Sequence, residues 1–189
     1  MIRDHTLHLL EAYRAFDELE HTHHRDTCAF VSSYSESHRR SHANGHVTGS
    51  AWVVDHEGKH ALLVHHRRLE RWLQPGGHVE DDATVLETAL REAREETGLV
   101  CSPVSEDIFD IDIHCIPANP RESEHLHYDI RFLLFADRDE TPTASSESRD
   151  VRWFGWDQIH AMACCPSIDR MVQKCRAHGI GAVPYGTDP

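Results

Sequence analysis

Apolar residues recur along this chain at two spacings, and each spacing predicts a different kind of element. Alternation of apolar and polar residues is typical of strands, because successive side chains of a strand point to opposite faces. Apolar residues three or four positions apart predict helices with one apolar stripe. The alternating stretches predict strands at 46–55, 60–66, 107–116, 125–136 and 151–156. The helical spacing predicts helices at 2–20, 28–34, 84–97, 157–162 and 167–178. Polar runs are expected to form loops at 21–27, 35–45 and 137–148.

The stretch 76–99 combines a glycine turn, an acidic loop and a helix with two contrasting faces. Gly76 and Gly77 permit a tight turn, and Gly98 suits the end of the helix because glycine accepts a left-handed backbone. Three glutamates at i, i+3 and i+4 share one face of this helix, and their like charges oppose it unless a cation lies between them. The charged face comprises Glu92, Glu95 and Glu96, and the apolar stripe comprises Val85, Leu86, Ala89, Leu90 and Ala93.

Two interpretations of the charged face follow from these residues. A hard divalent cation with oxygen ligands, Mg²⁺ or Mn²⁺, is the natural compensator for three clustered carboxylates. The alternative is an ordinary solvated face, in which Glu87 pairs with Arg91 one turn along the helix. The length of the surrounding pattern favours the metal site.

That pattern resembles the Nudix box, G-x5-E-x7-R-E-U-x-E-E-x-G-U, where U is an aliphatic residue. Gly77 takes the first position, and Arg91 and the three glutamates follow at the required spacing up to Gly98 and Leu99. A match of this length is far more specific than a short glycine motif. One position departs from the pattern, because its first glutamate is Ala83 in this chain.

The resemblance implies an α/β fold, namely a Nudix-type α/β/α sandwich with a mixed β-sheet. It also implies a metal-dependent hydrolase that cleaves a pyrophosphate bond in a nucleoside diphosphate linked to another moiety. The alanine at position 83 keeps an alternative open, a nucleotide- or metal-binding Nudix module with weak or lost hydrolysis. We expect an N-terminal helical extension packing on the domain at 1–45, the Nudix hydrolase domain at 46–162, and a C-terminal helix and tail of the same domain at 163–189.

Each charged residue of the box has an expected role under this resemblance. The glutamates are expected to bind Mg²⁺ or Mn²⁺ and to carry catalysis, with Arg91 orienting them and supporting the glycine turn. Because Ala83 offers no oxygen, the metal site is expected to be one ligand short. Glu80 is the preferred substitute, with water or the loss of one metal as alternatives, and Asp82 is expected to cap the helix. The expected metal ligands are therefore Glu92, Glu95, Glu96 and Glu80.

Candidates outside the box helix come from a loop, a strand face and the glycine turn. Glu147 precedes an aromatic strand, where several Nudix members carry their general base, and Glu124 is its rival. Four polar residues on one side of the strand at 125–136 predict either a solvent-facing surface or the wall of a substrate cleft, in which Arg131 holds phosphate. His78, beside the glycines, either reaches a phosphate or braces the loop. The expected substrate-binding residues are His78, Arg131, His127 and Gly77.

Composition limits the partners and the compartment of this 189-residue chain, which we expect to form one domain. The formal net charge of −13, with histidines neutral, disfavours a duplex nucleic-acid binder, which needs a basic face. Six cysteines include no CxxC pair and, without a signal peptide, predict reduced thiols in a cytoplasmic protein. We expect a small nucleotide-type substrate, no duplex nucleic acid and no membrane, and a homodimer through the N-terminal part is open.

Overall fold

A mixed β-sheet of eight strands organises the part of the chain that the computed structural model describes, residues 2–118, 122–162 and 165–180. Two long strands, β1 and β7, run parallel at its centre, and the other pairings are antiparallel. The strands are β1 (Gly45–Asp55), β2 (His60–His66), β3 (Arg71–Leu73), β4 (Gly76–His78), β5 (Ser102–Pro103), β6 (Asp110–Ile116), β7 (His125–Ala136) and β8 (Ser148–Gly155), and the helices are α1 (Ile2–Ala12), α2 (Glu18–Ser33), α3 (Val85–Thr97), α4 (Trp156–Met162) and α5 (Pro166–His178).

Strand β1 divides the core into two layers, because its alternate side chains enter opposite faces of the sheet. Val47, Ala51 and Val53 pack in a cluster with residues of α1, α2 and α3. Trp52 and Val54 pack in a second cluster with residues of α4 and α5. Helices therefore cover both faces, and the predicted α/β/α sandwich with a mixed sheet is confirmed. None of the described helices is long and apolar enough to cross a membrane.

Helix α3 lies directly on β1, and one glycine makes this approach possible. A Cβ added at Gly49 would lie 2.7 Å from the backbone oxygen of Val85 and 2.9 Å from the Cβ of Thr88. The short strand β4 pairs with the same part of β1, with Gly77 opposite Gly49. Strand β1 therefore holds the glycine turn and the acidic helix side by side.

The N-terminal part forms two helices, where the sequence predicts one helix at 2–20 followed by a loop at 21–27. Helix α1 ends at Ala12, and Asp17 caps α2 by accepting a hydrogen bond from the N–H of Glu20 at 2.7 Å. Residues 21–27 are helical, so the prediction of a loop there is wrong. The spacing of Asp17 and Glu20 is that of a capping box and marks the start of α2 in the sequence.

Glu20 also joins α2 to the edge of the sheet. Its buried carboxylate accepts from the N–H of Ile111 in β6 at 3.1 Å, and it accepts from the hydroxyl of Tyr13 and the ammonium of Lys174. The edge of β6 is thereby covered, which prevents its unpaired backbone groups from pairing with another chain.

Asp110 is the centre of a buried network of charges that joins β6, β7 and α5. Its carboxylate accepts from Arg170 at 2.8 Å, from Lys174 at 2.8 Å and from Arg131 at 3.1 Å. Burial by itself raises the pKa of Asp110, but these three cations outweigh it and hold the pKa below its ordinary value. The carboxylate therefore stays ionised inside the protein.

Asp110→Asn is expected to destabilise the fold by about 3–5 kcal/mol, because it leaves three buried cations short of a partner. The folded pKa of Asp110 lies below its reference value of 3.8, so its stabilising contribution is complete above that pH and is lost as the pH falls below it. Denaturant unfolding at neutral and acidic pH measures both effects, and the difference between wild type and variant should shrink in acid.

Glu57→Gln is the matched control for this substitution. Glu57 forms an exposed ion pair with Lys59 at 3.0 Å, and exposed pairs contribute only about 0–1 kcal/mol. Equal destabilisation by the two substitutions, or an Asp110→Asn effect that does not change with pH, would contradict the role of the network.

Candidate active site

Helix α3 has defined caps at both ends, and these fix where its acidic face lies. Thr84 is the N-cap residue, and its hydroxyl accepts from the N–H of Glu87 at 3.1 Å. Gly98 ends the helix with a left-handed backbone, φ 74°, which confirms the predicted cap.

Arg91 connects the loop after the glycine turn to the acidic face. One terminal nitrogen of its guanidinium donates to the backbone oxygen of His78 at 2.9 Å and to Asp82 at 3.0 Å. The other donates to Glu92 at 2.9 Å and to Glu95 at 3.3 Å. Arg91 therefore positions two glutamates and holds the loop against the helix, as a planar group with several fixed donors can.

Asp82, next to Ala83 in the sequence, bonds to Arg91 and Thr88. Its carboxylate accepts hydrogen bonds from Nε and Nη2 of Arg91. It also accepts from the hydroxyl of Thr88 at 3.0 Å. The prediction that Asp82 caps the helix is wrong, because the hydroxyl of Thr84 performs this task. The carboxylate partner of Arg91 thus stands one residue before Ala83.

The glycine turn lies close to its neighbours, and Gly76 has no room for a side chain. A Cβ at Gly77 would lie 2.3 Å from a carboxylate oxygen of Glu92. A Cβ at Gly76 would lie 2.7 Å from the Cβ of Ser50 and 2.8 Å from its Cα. The backbone of Gly76 also lies close enough to the carboxylate of Glu96 to lower its pKa in part. The bare backbone of this turn therefore reaches two of the three glutamates.

The carboxylates near the turn influence one another strongly. Glu96 is only 9% exposed, and burial, followed by the charge of Glu92, raises its pKa to about 8, with smaller contributions from Glu147 and Glu95. Burial also raises the pKa of Glu92, to which Glu95 and Glu80 contribute. Carboxylates that resist ionising together form a favourable place for a cation. Hard oxygen donors of this kind fit Mg²⁺ or Mn²⁺.

Two predicted residues from outside the helix approach this group. Glu80 is exposed on the loop after β4, and Glu147 is exposed immediately before β8. Each is close enough to a box glutamate to raise its pKa. The rival Glu124 lies instead beside Cys115, whose pKa it raises together with desolvation, the larger effect.

Arg131 is not at a substrate surface. Its side chain is 2% exposed and donates to Asp129 at 2.7 Å, to Asp110 at 3.1 Å and to Asp112 at 3.2 Å. The interpretation of this strand face as a solvent-facing surface is wrong at Asp129 and Arg131, because both side chains are buried and bonded within the protein. A guanidinium enclosed by three carboxylates cannot receive phosphate, so the substrate-binding role of Arg131 is also corrected: the residue supports the fold.

His78 and His127 lie in a group of histidines where β1, β4 and β7 meet. The ring centroid of His127 lies 5.1 Å from that of His78 and 4.7 Å from that of His46. Burial is the main cause that lowers the pKa of His78 to about 4 and of His46 to about 3, and it also lowers the pKa of His127. These rings are therefore neutral near pH 7 and offer hydrogen bonds rather than positive charge to a phosphate.

A cation that the sequence alone does not single out lies close to the carboxylates. Arg40 is exposed in the predicted linker at 35–45 and donates to Glu122 at 2.6 Å. This hydrogen bond is the first cause that raises its pKa, and the charges of Glu80 and Glu147 contribute. No spacing in a polar linker could have located Arg40, since its position depends on the pairing of β1 with β7.

A family model described as the NUDIX domain matches residues 45–175, a range that includes the glycine turn and the acidic helix described above. The chain belongs to the Nudix family. A probable DHNTP pyrophosphohydrolase of Lactococcus lactis is 35% identical over 85 residues, which cover 44% of this chain and 51% of that protein. Phosphatase NudJ of Escherichia coli is 44% identical over 61 residues, which cover 31% of this chain and 38% of that protein. The matches thus span about half or less of these relatives.

A solved structure supports the fold of this Nudix protein independently. The Ap4A hydrolase of C. elegans, determined as a binary complex, has a TM-score of 0.57, is 17% identical, and matches over 71% of this chain and 98% of that one. At this identity the likeness concerns the fold alone. The resemblance and the fold class predicted from the box are both confirmed.

Gly76→Ala is expected to destabilise this Nudix domain by about 1–3 kcal/mol, because the added Cβ would meet Ser50 on the paired strand. Gly155→Ala is the control, since a Cβ there lies 3.6 Å from its nearest neighbour and should change stability by less than about 0.5 kcal/mol. Urea unfolding compares the two variants with wild type. Equal stability of both would argue against the close approach of the turn to β1.

Proposed function

We propose that this Nudix protein is a divalent-metal-dependent hydrolase that cleaves a pyrophosphate bond in a nucleoside diphosphate linked to another moiety. The observation that carries the proposal is the buried carboxylate of Glu96, which lies near the backbone of Gly76 and whose pKa is raised by burial and by the charges of Glu92 and Glu147. A carboxylate in such surroundings is stabilised by a cation. The printed names of the relatives, a pyrophosphohydrolase and a phosphatase, support the same reaction class.

The metal ligands in this proposal are Glu92, Glu95 and Glu96, with Glu80 added from the loop. Glu92 and Glu95 accept hydrogen bonds from Arg91, so their side chains would turn away from Arg91 to reach an ion shared with Glu96. Bound Mg²⁺ or Mn²⁺ supplies neutralisation of the pyrophosphate charge and activation of the attacking water.

The protein's own groups divide the remaining tasks. Arg91 is a positioning residue, because its donors are bonded to carboxylates and to a backbone carbonyl rather than open to a substrate. Glu147 is the proposed general base, since its exposed carboxylate lies near Glu96 and can accept a proton from water. Arg40 takes the phosphate-binding role that Arg131 cannot fill, because it is 56% exposed on its side chain and lies beside the acidic loop.

The alternative of a binding module without hydrolysis depends on Ala83. Asp82, the residue before Ala83, pairs with Arg91 at 3.0 Å. The loop is therefore held against the helix without a glutamate at position 83, which favours the hydrolase.

A cytoplasmic location is part of the proposal. The thiols of Cys28, Cys101, Cys115, Cys165 and Cys175 are free, as expected for a reducing compartment. Cys164 lies outside the described residues.

Glu92→Gln and Glu96→Gln should each reduce Mg²⁺-dependent turnover by at least about a hundredfold, because each removes a charged ligand. The assay uses a panel of ADP-ribose, dinucleoside polyphosphates and oxidised nucleotides, with and without chelator. Glu18→Gln, an exposed glutamate on α2, is the control and should leave turnover unchanged. Turnover that survives both the chelator and the two substitutions would refute the proposed site.

Arg40→Gln should raise KM by about tenfold or more and leave kcat largely unchanged, because it removes one charge-assisted contact to phosphate. Arg25→Gln is the matched control, since Arg25 is also exposed and pairs with a neighbouring carboxylate, Asp26, at 2.9 Å. Steady-state kinetics on the best substrate of the panel compares them. The same KM in both variants would remove Arg40 from the substrate site.

A further inference from the structure

Three histidines converge at one end of the central strand pair. His46 lies on β1 directly opposite His127 on β7, and His125 lies two residues earlier on the same face of β7. One ring nitrogen of each lies within 4.8 Å of the corresponding nitrogens of the other two. Among the described residues, no other three histidine, cysteine or acidic side chains bring ligand atoms this close together.

The ring nitrogens in this group lack hydrogen-bond partners although they are buried. His46 is 1% exposed, and neither of its ring nitrogens has a partner. The Nε2 atoms of His125 and His127 are likewise buried and unpartnered. Buried polar atoms are nearly always satisfied, and each unsatisfied one costs about 1–3 kcal/mol. Several such nitrogens at one place therefore indicate a ligand that they share.

The orientation of His125 shows which of its nitrogens is available. Its Nδ1 lies 2.8 Å from the backbone oxygen of Ser123, and a carbonyl can only accept, so Nδ1 carries the hydrogen. The lone pair is then on Nε2, the atom that is buried without a partner. Histidines that bind metals typically donate their second ring nitrogen to a carbonyl or carboxylate in this way.

We propose that His46, His125 and His127 bind a transition-metal ion of the Zn²⁺ class at a site distinct from the box glutamates. Imidazole nitrogens suit Zn²⁺, Co²⁺, Ni²⁺ and Cu²⁺, whereas Mg²⁺ prefers oxygen ligands. A tetrahedral Zn²⁺ site places its nitrogen ligands about 3.4 Å apart, so modest rotations of the side chains suffice. This assigns His127 a role other than the predicted contact to substrate.

His78 is placed to complete the coordination. Its ring centroid lies 4.9 Å from that of His46 and 5.1 Å from that of His127. The negative charge of Glu122 acts on both His46 and His78 and offsets part of the charge of a bound dication, although Arg40 opposes it. A site with three imidazoles and His78 as the fourth ligand would be closed to water, as structural zinc sites are.

A second group of histidines, His23 and His24 on α2, does not offer a comparable site. On α2, Nδ1 of His23 lies 3.3 Å from Asp112 and from the N–H of Ile113. Nε2 of His24 lies 2.8 Å from the backbone oxygen of Leu10. These nitrogens are already bonded within the protein.

Titration of the chelator-treated full-length protein with Co²⁺ near pH 7.5, where ordinary imidazole is neutral, tests the site. We expect one Co²⁺ per chain with a visible absorption typical of nitrogen ligands, which persists in a large excess of Mg²⁺ and is displaced by Zn²⁺. Binding should raise the melting temperature, because the ion binds the folded state. The same spectrum should appear in Glu92→Gln, which separates this site from the proposed hydrolytic one.

His46→Phe and His127→Phe should each weaken Co²⁺ binding by at least about a hundredfold. Replacing a residue that only hydrogen-bonds to a metal ligand already lowers metal affinity by about 10–100-fold, and here a ligand itself is removed. Both should fold without metal, because the lost nitrogens have no partners, and the metal-induced rise in melting temperature should disappear. His160→Phe, an exposed histidine on α4, is the control and should bind as wild type does. If His46→Phe fails to fold, His125→Phe, at a less buried position, replaces it. Absence of Mg²⁺-resistant binding, or equal affinity in control and cluster variants, would overturn the proposal.

Discussion

The pairing of β1 with β7 is the constraint on which the rest of this Nudix fold depends. The two strands run parallel from Gly45 to Asp55, and β1 is buried along its whole length. A polar residue on such a strand must find a partner inside the protein. Thr48 and Ser50 do so by donating to Asp129 at 2.9 and 2.7 Å. On its other edge β1 pairs with β4, which contains the glycine turn, and α3 packs against β1 at Gly49. The position of the acidic helix therefore depends on where β1 is held by β7.

The sequence pattern predicted those strands and helices whose formation depends only on residues close together in the chain. Strands with clean alternation and the box helix with its glycine cap needed only their own spacing to be recognised. The polar face of β7 was open to a wrong interpretation, because alternation reveals that a face is polar but not what covers it. Arg131 of this face bonds to Asp110 on β6, which in turn pairs with Arg170 and Lys174 of α5, and nothing in the spacing of these segments indicates that network. The start of α2 is different, since Asp17 and Glu20 carry a capping signal in the sequence.

The residues of the candidate site also fall into two groups: those that one segment of the sequence brings together, and those that only contacts between distant segments bring together. The three glutamates and Arg91 lie on one helix, so the box pattern places them together. Arg40 and the histidine group depend on contacts between segments far apart in the chain, and no single segment shows them. The role of Asp82 is intermediate, because it lies on the loop of the box pattern but only the structure shows that it pairs with Arg91.

The two proposed metal sites differ in chemistry but share one segment. Oxygen ligands select Mg²⁺ or Mn²⁺ at the glutamates, whereas nitrogen ligands select a Zn²⁺-class ion at the histidines, so neither ion competes well for the other site. His78 belongs to both regions, because its ring lies in the histidine group and its backbone oxygen accepts from Arg91. An ion held by the histidines would therefore restrict the β4 segment from which the acidic loop begins. Arg91 joins that segment to Glu92, so the two proposed sites are connected through one side chain and one strand.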